Sequence, residues 1–173
     1  RNFRQLADKV IPEYQLKPKD LVIDIGSNDG TLLQRFKEKG MRVLGIEPTD
    51  AAKDANKNGI PTIQAFFNKE TAKSILKKYG KAKLITATNV FAHINNAPEL
   101  AKNIYSLLDK GGIFISESQY FMDTFEKTEL DCVYHEHIRF YTLKPLIKLL
   151  ADAGLTALDA ERISAAGCSI RVF

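Results

Sequence analysis

Leu21-Val22-Ile23-Asp24-Ile25-Gly26-Ser27-Asn28-Asp29-Gly30-Thr31-Leu32-Leu33 is the stretch that decides the fold. Its opening, Leu21–Gly26, is a short apolar run broken by one acid, the pattern of a strand buried on both faces. Gly26 and Gly30 let the backbone turn tightly and come close to a neighbour. Directly after them TLLQRFKEKG has helical spacing and stops at Gly40. A strand running through a glycine turn straight into a helix is the first half of a β-α-β unit.

Working outward, the alternation continues. Met41–Glu47 is the next strand, and Asp50 can cap a helix through Asn58, which Gly59-Ile60-Pro61 ends before a short strand at Thr62–Gln64. A lysine-rich helix covers Lys69–Tyr79, and Lys83–Val90 is a fourth strand. Pro98–Leu108 reads as a helix closed by Lys110-Gly111-Gly112, and Gly112–Ser118 as a fifth strand. Gln119–Thr142 is less regular and precedes a helix over Leu143–Ala153. Two strand-like runs finish the chain, Leu155–Ile163 and Cys168–Phe173. Ser164–Gly167, which joins them, is too short for a crossover, so these two should be antiparallel neighbours. The expected class is therefore α/β: a seven-stranded, mostly parallel, Rossmann-like sheet with helices on both faces and an antiparallel terminal hairpin.

Ligands of open α/β sheets bind outside the carboxyl ends of the strands. The first such end carries Asp24–Gly30, where Asn28 occupies a position that tolerates left-handed backbone and Asp24 suits a cationic group. Glu47 ends the second strand, where an acid can accept hydrogen bonds from ribose hydroxyls. A dinucleotide oxidoreductase is the rival reading, but Asn28 and Thr31 stand where GxGxxG needs its second and third glycines. A tight turn holding no ligand is the plainer alternative.

Composition bounds the rest. The 173 residues suit one domain, 1–173, with 45% hydrophobic and 27% charged residues and a mild net charge of +4. Much of that charge lies in Lys69, Lys73, Lys77, Lys78, Lys81 and Lys83, whose spacing marks the wet face of a helix rather than a nucleic-acid or membrane surface. No apolar run is long enough to span a bilayer. Cys132 and Cys168 form no CxxC pair, so a reducing cytoplasm is the expected compartment. A start at Arg1 and an end at Phe173 within an apolar run lead us to expect a domain of a longer protein.

The loop Gly26–Gly30, with Gly45-Ile46-Glu47-Pro48, Phe66-Phe67 and the string Asn89–His93, resembles class I S-adenosylmethionine-dependent methyltransferases. Within them it is most similar to the C-methyltransferases of nucleotide-linked deoxysugars, over nearly the whole chain. The resemblance implies that Asp24, Gly26, Ser27 and Gly30 hold the methionine part of S-adenosyl-L-methionine, with Asn28 in the same cofactor-binding loop. It also implies Glu47 and Pro48 at the ribose, Phe66 and Phe67 beside the adenine, and Asn89 and Phe91 on the floor. By itself a Phe pair is more often core than an adenine clamp. Members of that family have further domains on either side, so this chain corresponds to the central one. It departs from them at Ala165–Arg171, where a His-Gly-Gly-Ser-Leu-Arg string is expected. That position bears on the acceptor more than on the cofactor.

Of three histidines, His135 and His137 lie in Tyr134-His135-Glu136-His137, after the fifth strand. With His93 they could ligate a metal, but no further spacing supports one and none is expected. They could be core histidines satisfied by hydrogen bonds. They could also serve as a general base, since imidazole changes charge near neutral pH. The resemblance selects the base: His137, with Tyr134 and Glu136 in support. Methylation at carbon requires one, because a carbon beside a ketone must lose a proton before it can attack. The partner so implied is a small molecule, a keto-sugar on a nucleotide.

Overall fold

The computed structural model describes residues 2–127, 137–163 and 169–173. Seven strands form one sheet: β1 Leu21–Ile25, β2 Arg42–Ile46, β3 Thr62–Ile63, β4 Ala82–Thr88, β5 Leu108–Gln119, β6 Ala160–Ile163 and β7 Ser169–Val172. Their order is β3-β2-β1-β4-β5-β7-β6. The first five pair in parallel, while β7 runs antiparallel to both β5 and β6. The expected class and terminal hairpin are present, with β7 between β5 and β6. Every residue of β1, Asp24 included, is buried, as its near-continuous apolar run requires of a strand flanked on both edges.

Helices α1 Asn2–Glu13, α2 Thr31–Glu38, α3 Ala51–Lys57, α4 Lys69–Tyr79, α5 Ala97–Leu107, α6 Phe121–Lys127 and α7 Leu143–Ala151 cover the sheet. One core, with Leu6, Val10, Leu33, Phe36 and Val22, lies beneath α1 and α2. The other, with Ile23, Ile75, Ile85, Ile104 and Leu146, lies beneath α4, α5 and α7.

Four boundaries differ from the sequence reading. Helix α1 was not anticipated, although Leu6 and Val10 repeat at helical spacing and are buried. Helix α6 occupies part of the stretch read as irregular. Strand β5 begins at Leu108, not Gly112. Gly111, at φ +70°, takes up an irregularity inside the strand instead of ending a helix, and the β4–β5 register shifts there between Ala82 and Leu84. Strand β6 starts only at Ala160; just before it Leu158 N–H donates to Phe173 O at 2.8 Å and Phe173 N–H to Asp159 O at 2.9 Å. No helix among the described residues is long and apolar enough to cross a membrane.

Candidate functional site

At the carboxyl ends of β1, β2 and β4 the structure opens a cavity of ≈ 730 Å³. The turn after β1 is stitched to β2: Gly26 N–H and Ser27 N–H both donate to the Ile46 carbonyl, at 2.8 and 3.2 Å. Gly26 lies at φ +70°, and a Cβ there would come within 2.7 Å of the Val90 side chain. Asn28 is left-handed at φ 49°, as its residue type allows. That conformation lets its N–H donate to Glu47 Oε2 at 3.0 Å, while Thr49 N–H donates to Oε1 at 2.9 Å. The carboxylate is thus fixed by two backbone donors, and each oxygen keeps a lone pair for a ligand.

Asp24 is buried at the base of the cavity and accepts a 2.6 Å hydrogen bond from Thr86 Oγ1. Burial pushes its carboxyl up to about 7; the Thr86 bond opposes this and the neighbouring Glu47 charge adds to it. Two acids facing one cavity favour a cation. Ser27 also lines it, with a buried hydroxyl that has no hydrogen-bond partner. Gly45 makes room for that hydroxyl, since a Cβ there would collide with Ser27 Oγ and Thr62 Oγ1.

Across the cavity stand Pro48, Phe66 and Phe67. Phe66 is 73% exposed, whereas Phe67 is half-buried against the core. An exposed ring beside a cavity has a face to offer a flat ligand. Asn89, left-handed at φ 57°, lines the third side, and its N–H donates to the Glu117 carbonyl at 2.7 Å.

Two residues expected here lie elsewhere. Gly30 caps α2 at φ +80°, close against Ile60, and shapes the turn without lining the cavity. Phe91 is fully buried, packed on Phe114 at 6.0 Å and edge-on to Tyr141 at 6.3 Å. It therefore belongs to the core and not to the floor. The cause is the 3-10 turn Phe91–His93. Three residues per turn bring Val90 and His93 to one side and send Phe91 to the other. Val90 and His93 line the cavity in its place.

His93 leads to His137. The His137 ring is buried, 4.8 Å from the His93 ring between centroids and tilted by 56°. Phe140 meets His137 edge-on at 6.2 Å. The chain after His137 is pinned to the same turn, with Ile138 N–H donating to Ala92 O at 3.0 Å and Arg139 Nη2 to Asn95 O at 2.6 Å. His137 is not itself among the cavity-lining residues. Tyr134, His135 and Glu136 lie outside the described residues. Among those described, no group of three or more His, Cys, Asp or Glu is placed to hold a metal. Sequence reasoning missed Thr86, Phe3 and the cavity role of His93; only His93, just past β4, carried a positional signal.

A family of methyltransferase domains matches residues 1–160. The C-methyltransferase NovU of Streptomyces niveus is 33% identical over 174 aligned residues, 100% of this chain and 41% of NovU. The chain thus spans about two fifths of that relative's length. Among solved structures, a S-adenosylmethionine-dependent methyltransferase from Clostridium acetobutylicum superposes with a TM-score of 0.73 at 15% identity, over 98% of this chain and 89% of that one. Magnesium protoporphyrin IX methyltransferase from Synechocystis, with bound S-adenosylhomocysteine, gives 0.72 at 18% identity, over 98% and 81%. These two share the fold. The paired acids, the open Ser27 hydroxyl and the Phe66 face fit S-adenosylmethionine, the cofactor of this domain. The chain belongs to the class I S-adenosylmethionine-dependent methyltransferases.

Proposed function

We propose that this domain methylates carbon, on a keto-sugar carried by a nucleotide, through an enolate. The observation that carries the reading is the pair of imidazoles at the Asn89–Ile94 side of the cofactor cavity, His93 on its wall and His137 directly behind. Nitrogen and oxygen acceptors have a lone pair ready for transfer, whereas a carbon acceptor needs a proton taken away first. Identity to NovU over the whole chain supports carbon as the acceptor atom.

In this reading Asp24, Ser27 and Asn28 hold the amino-acid end of the cofactor and Glu47 with Pro48 the ribose. Phe66 and Phe67 flank the adenine, and Asn89 borders the methionine part. The cofactor supplies an electrophilic methyl group. His137 takes the proton from the carbon next to the ketone, and the electron pair passes into the enolate. The enolate carbon then forms its bond to the methyl carbon as the methyl–sulfur bond breaks. Tyr134 and Glu136 orient the sugar or steady the developing charge. Proton transfer of this kind contributes on the order of 10²–10⁴-fold, with alignment of the two reactants adding more. The sparse cysteines fit a cytoplasmic setting.

The test is solvent deuterium exchange at the acceptor carbon of a nucleotide-linked 4-keto sugar, with the complete protein and S-adenosylhomocysteine. Wild type should exchange and His137→Ala should not. Exchange that survives in His137→Ala but disappears in His135→Ala moves the base to His135. Absence of exchange and of carbon methylation in the wild type overturns the reading.

A further inference from the structure

A row of charge crosses β5, β7 and β6 beneath α1. The ladder places Glu117, Arg171 and Glu161 side by side. Arg171 donates from Nε and Nη2 to Glu117 Oε2 at 3.1 and 2.7 Å, and from Nη1 to Glu161 Oε1 at 2.8 Å. Its Nη2 also reaches Asn2 Oδ1 at 3.1 Å, at the start of α1. Asn2 Nδ2 approaches Glu117 Oε1 at 3.5 Å, and Lys9 Nζ donates to Glu161 Oε2 at 2.8 Å. Two bases meet two acids, so the row is neutral. Arg171 and Glu117 are almost fully buried.

A buried pair of this kind is no more stabilising than apolar packing. What the guanidinium fork adds is direction, since its planar donors fix the groups they hold. Here both groups it fixes lead to the cofactor cavity. Asn2 is followed on α1 by Phe3, which lines the cavity. The Glu117 carbonyl accepts the N–H of Asn89, which lines it from β4.

We propose that Arg171 and Glu117 are positioning residues for cofactor binding: they set Phe3 through Asn2, and Asn89 through the Glu117 backbone, with Phe3 a cofactor-contact residue. Helix α1 is then a wall of the site and not merely its cover. The inference rests on the cofactor cavity and is independent of the acceptor.

Calorimetric titration of the complete protein with S-adenosylhomocysteine tests it, alongside thermal melting. Phe3→Ala should raise Kd about tenfold, the loss expected for a partly buried ring. Asn2→Ala should raise it by less, and the double variant should be no weaker than Phe3→Ala alone, because Asn2 acts through Phe3. Arg171→Lys keeps the charge but loses the fork, and should weaken binding more than Asn2→Ala by releasing both walls. If Arg171→Lys does not fold, the Asn2–Phe3 cycle decides alone. An unchanged Kd in Phe3→Ala, multiplicative effects in the double variant, or an Asn2→Ala that lowers the melting temperature without moving Kd would each overturn the proposal.

Discussion

The imidazole of His93 lines the cofactor cavity and packs against His137, ring centroids 4.8 Å apart. On the proposed function, in which His137 takes the acceptor's proton, His93 packs against the base and helps to hold its ring in place. His93→Ala in the complete protein should cut methyl transfer on the order of 10²-fold, while S-adenosylhomocysteine affinity changes by less than about tenfold. Steady-state rates beside a binding titration read both numbers. A variant that loses cofactor affinity and keeps its turnover makes His93 a wall residue only.

Asp24 links cofactor binding to pH. Burial holds its carboxyl neutral up to about 7, against an ordinary value of 3.8. A raised carboxyl makes the apo fold most stable, in this respect, below 3.8; that contribution is lost as pH rises to about 7 and is level above. A cationic ligand selects the carboxylate, so S-adenosylmethionine should bind more tightly as pH rises through this window and release a proton below its upper end. Calorimetry in buffers of different ionisation enthalpy measures the proton, and Asp24→Asn should abolish both slopes. Binding near pH 6 with no proton released would separate Asp24 from the cation.

On the proposed assignment of the ribose to Glu47, Glu47→Ala should weaken S-adenosylhomocysteine binding by about 1–3 kcal/mol, since the N–H groups of Asn28 and Thr49 also lose their acceptor. NAD should not compete at comparable concentration, since the loop does not offer GxGxxG. Unchanged affinity in a folded Glu47→Ala variant would take the acid away from the ribose.

The adjacent phenylalanines should behave differently. Phe66 is 73% exposed, so Phe66→Ala should leave stability within about 0.5 kcal/mol and still weaken cofactor binding. Phe67 packs on the core, and Phe67→Ala should cost about 1–3 kcal/mol of stability as well. Denaturant melts and titrations of the two variants compare them. Equal losses of stability, with cofactor affinity intact, would assign both rings to packing.

The cavity at the ends of β1 and β2 was legible because its signals are local. An acid at a strand end, glycines in the next turn and an asparagine able to go left-handed are all visible at Asp24–Gly30, and Glu47 follows from the same logic one strand later. Phe91 was misplaced because a 3-10 turn inverts the side a residue faces, and no residue in Asn89–His93 announces that turn. Helix α1 was hidden because its buried face packs on Val22, Leu33, Phe36 and Phe173, partners that its own twelve residues do not reveal. Its one internal proline, Pro12, also argues against a helix when read locally. Strand β5 was cut short for a related reason: paired glycines signal a turn, and only the β4 ladder shows that the chain runs on.

Placing β7 between β5 and β6 has a consequence for how the chain reaches this shape. Asn2 and Arg171 bond across 169 positions, so the first turn of α1 lacks this anchor until nearly all of the domain has been synthesised. During that interval the Ser116–Gln119 half of β5 is an open edge, its backbone unpaired on the side that β7 takes. Long-range closure of this kind is slow, and an open strand edge left waiting is where wrong pairing between nascent chains begins. Arrival of Ser169–Val172 covers that edge and gives α1 its anchor in a single step.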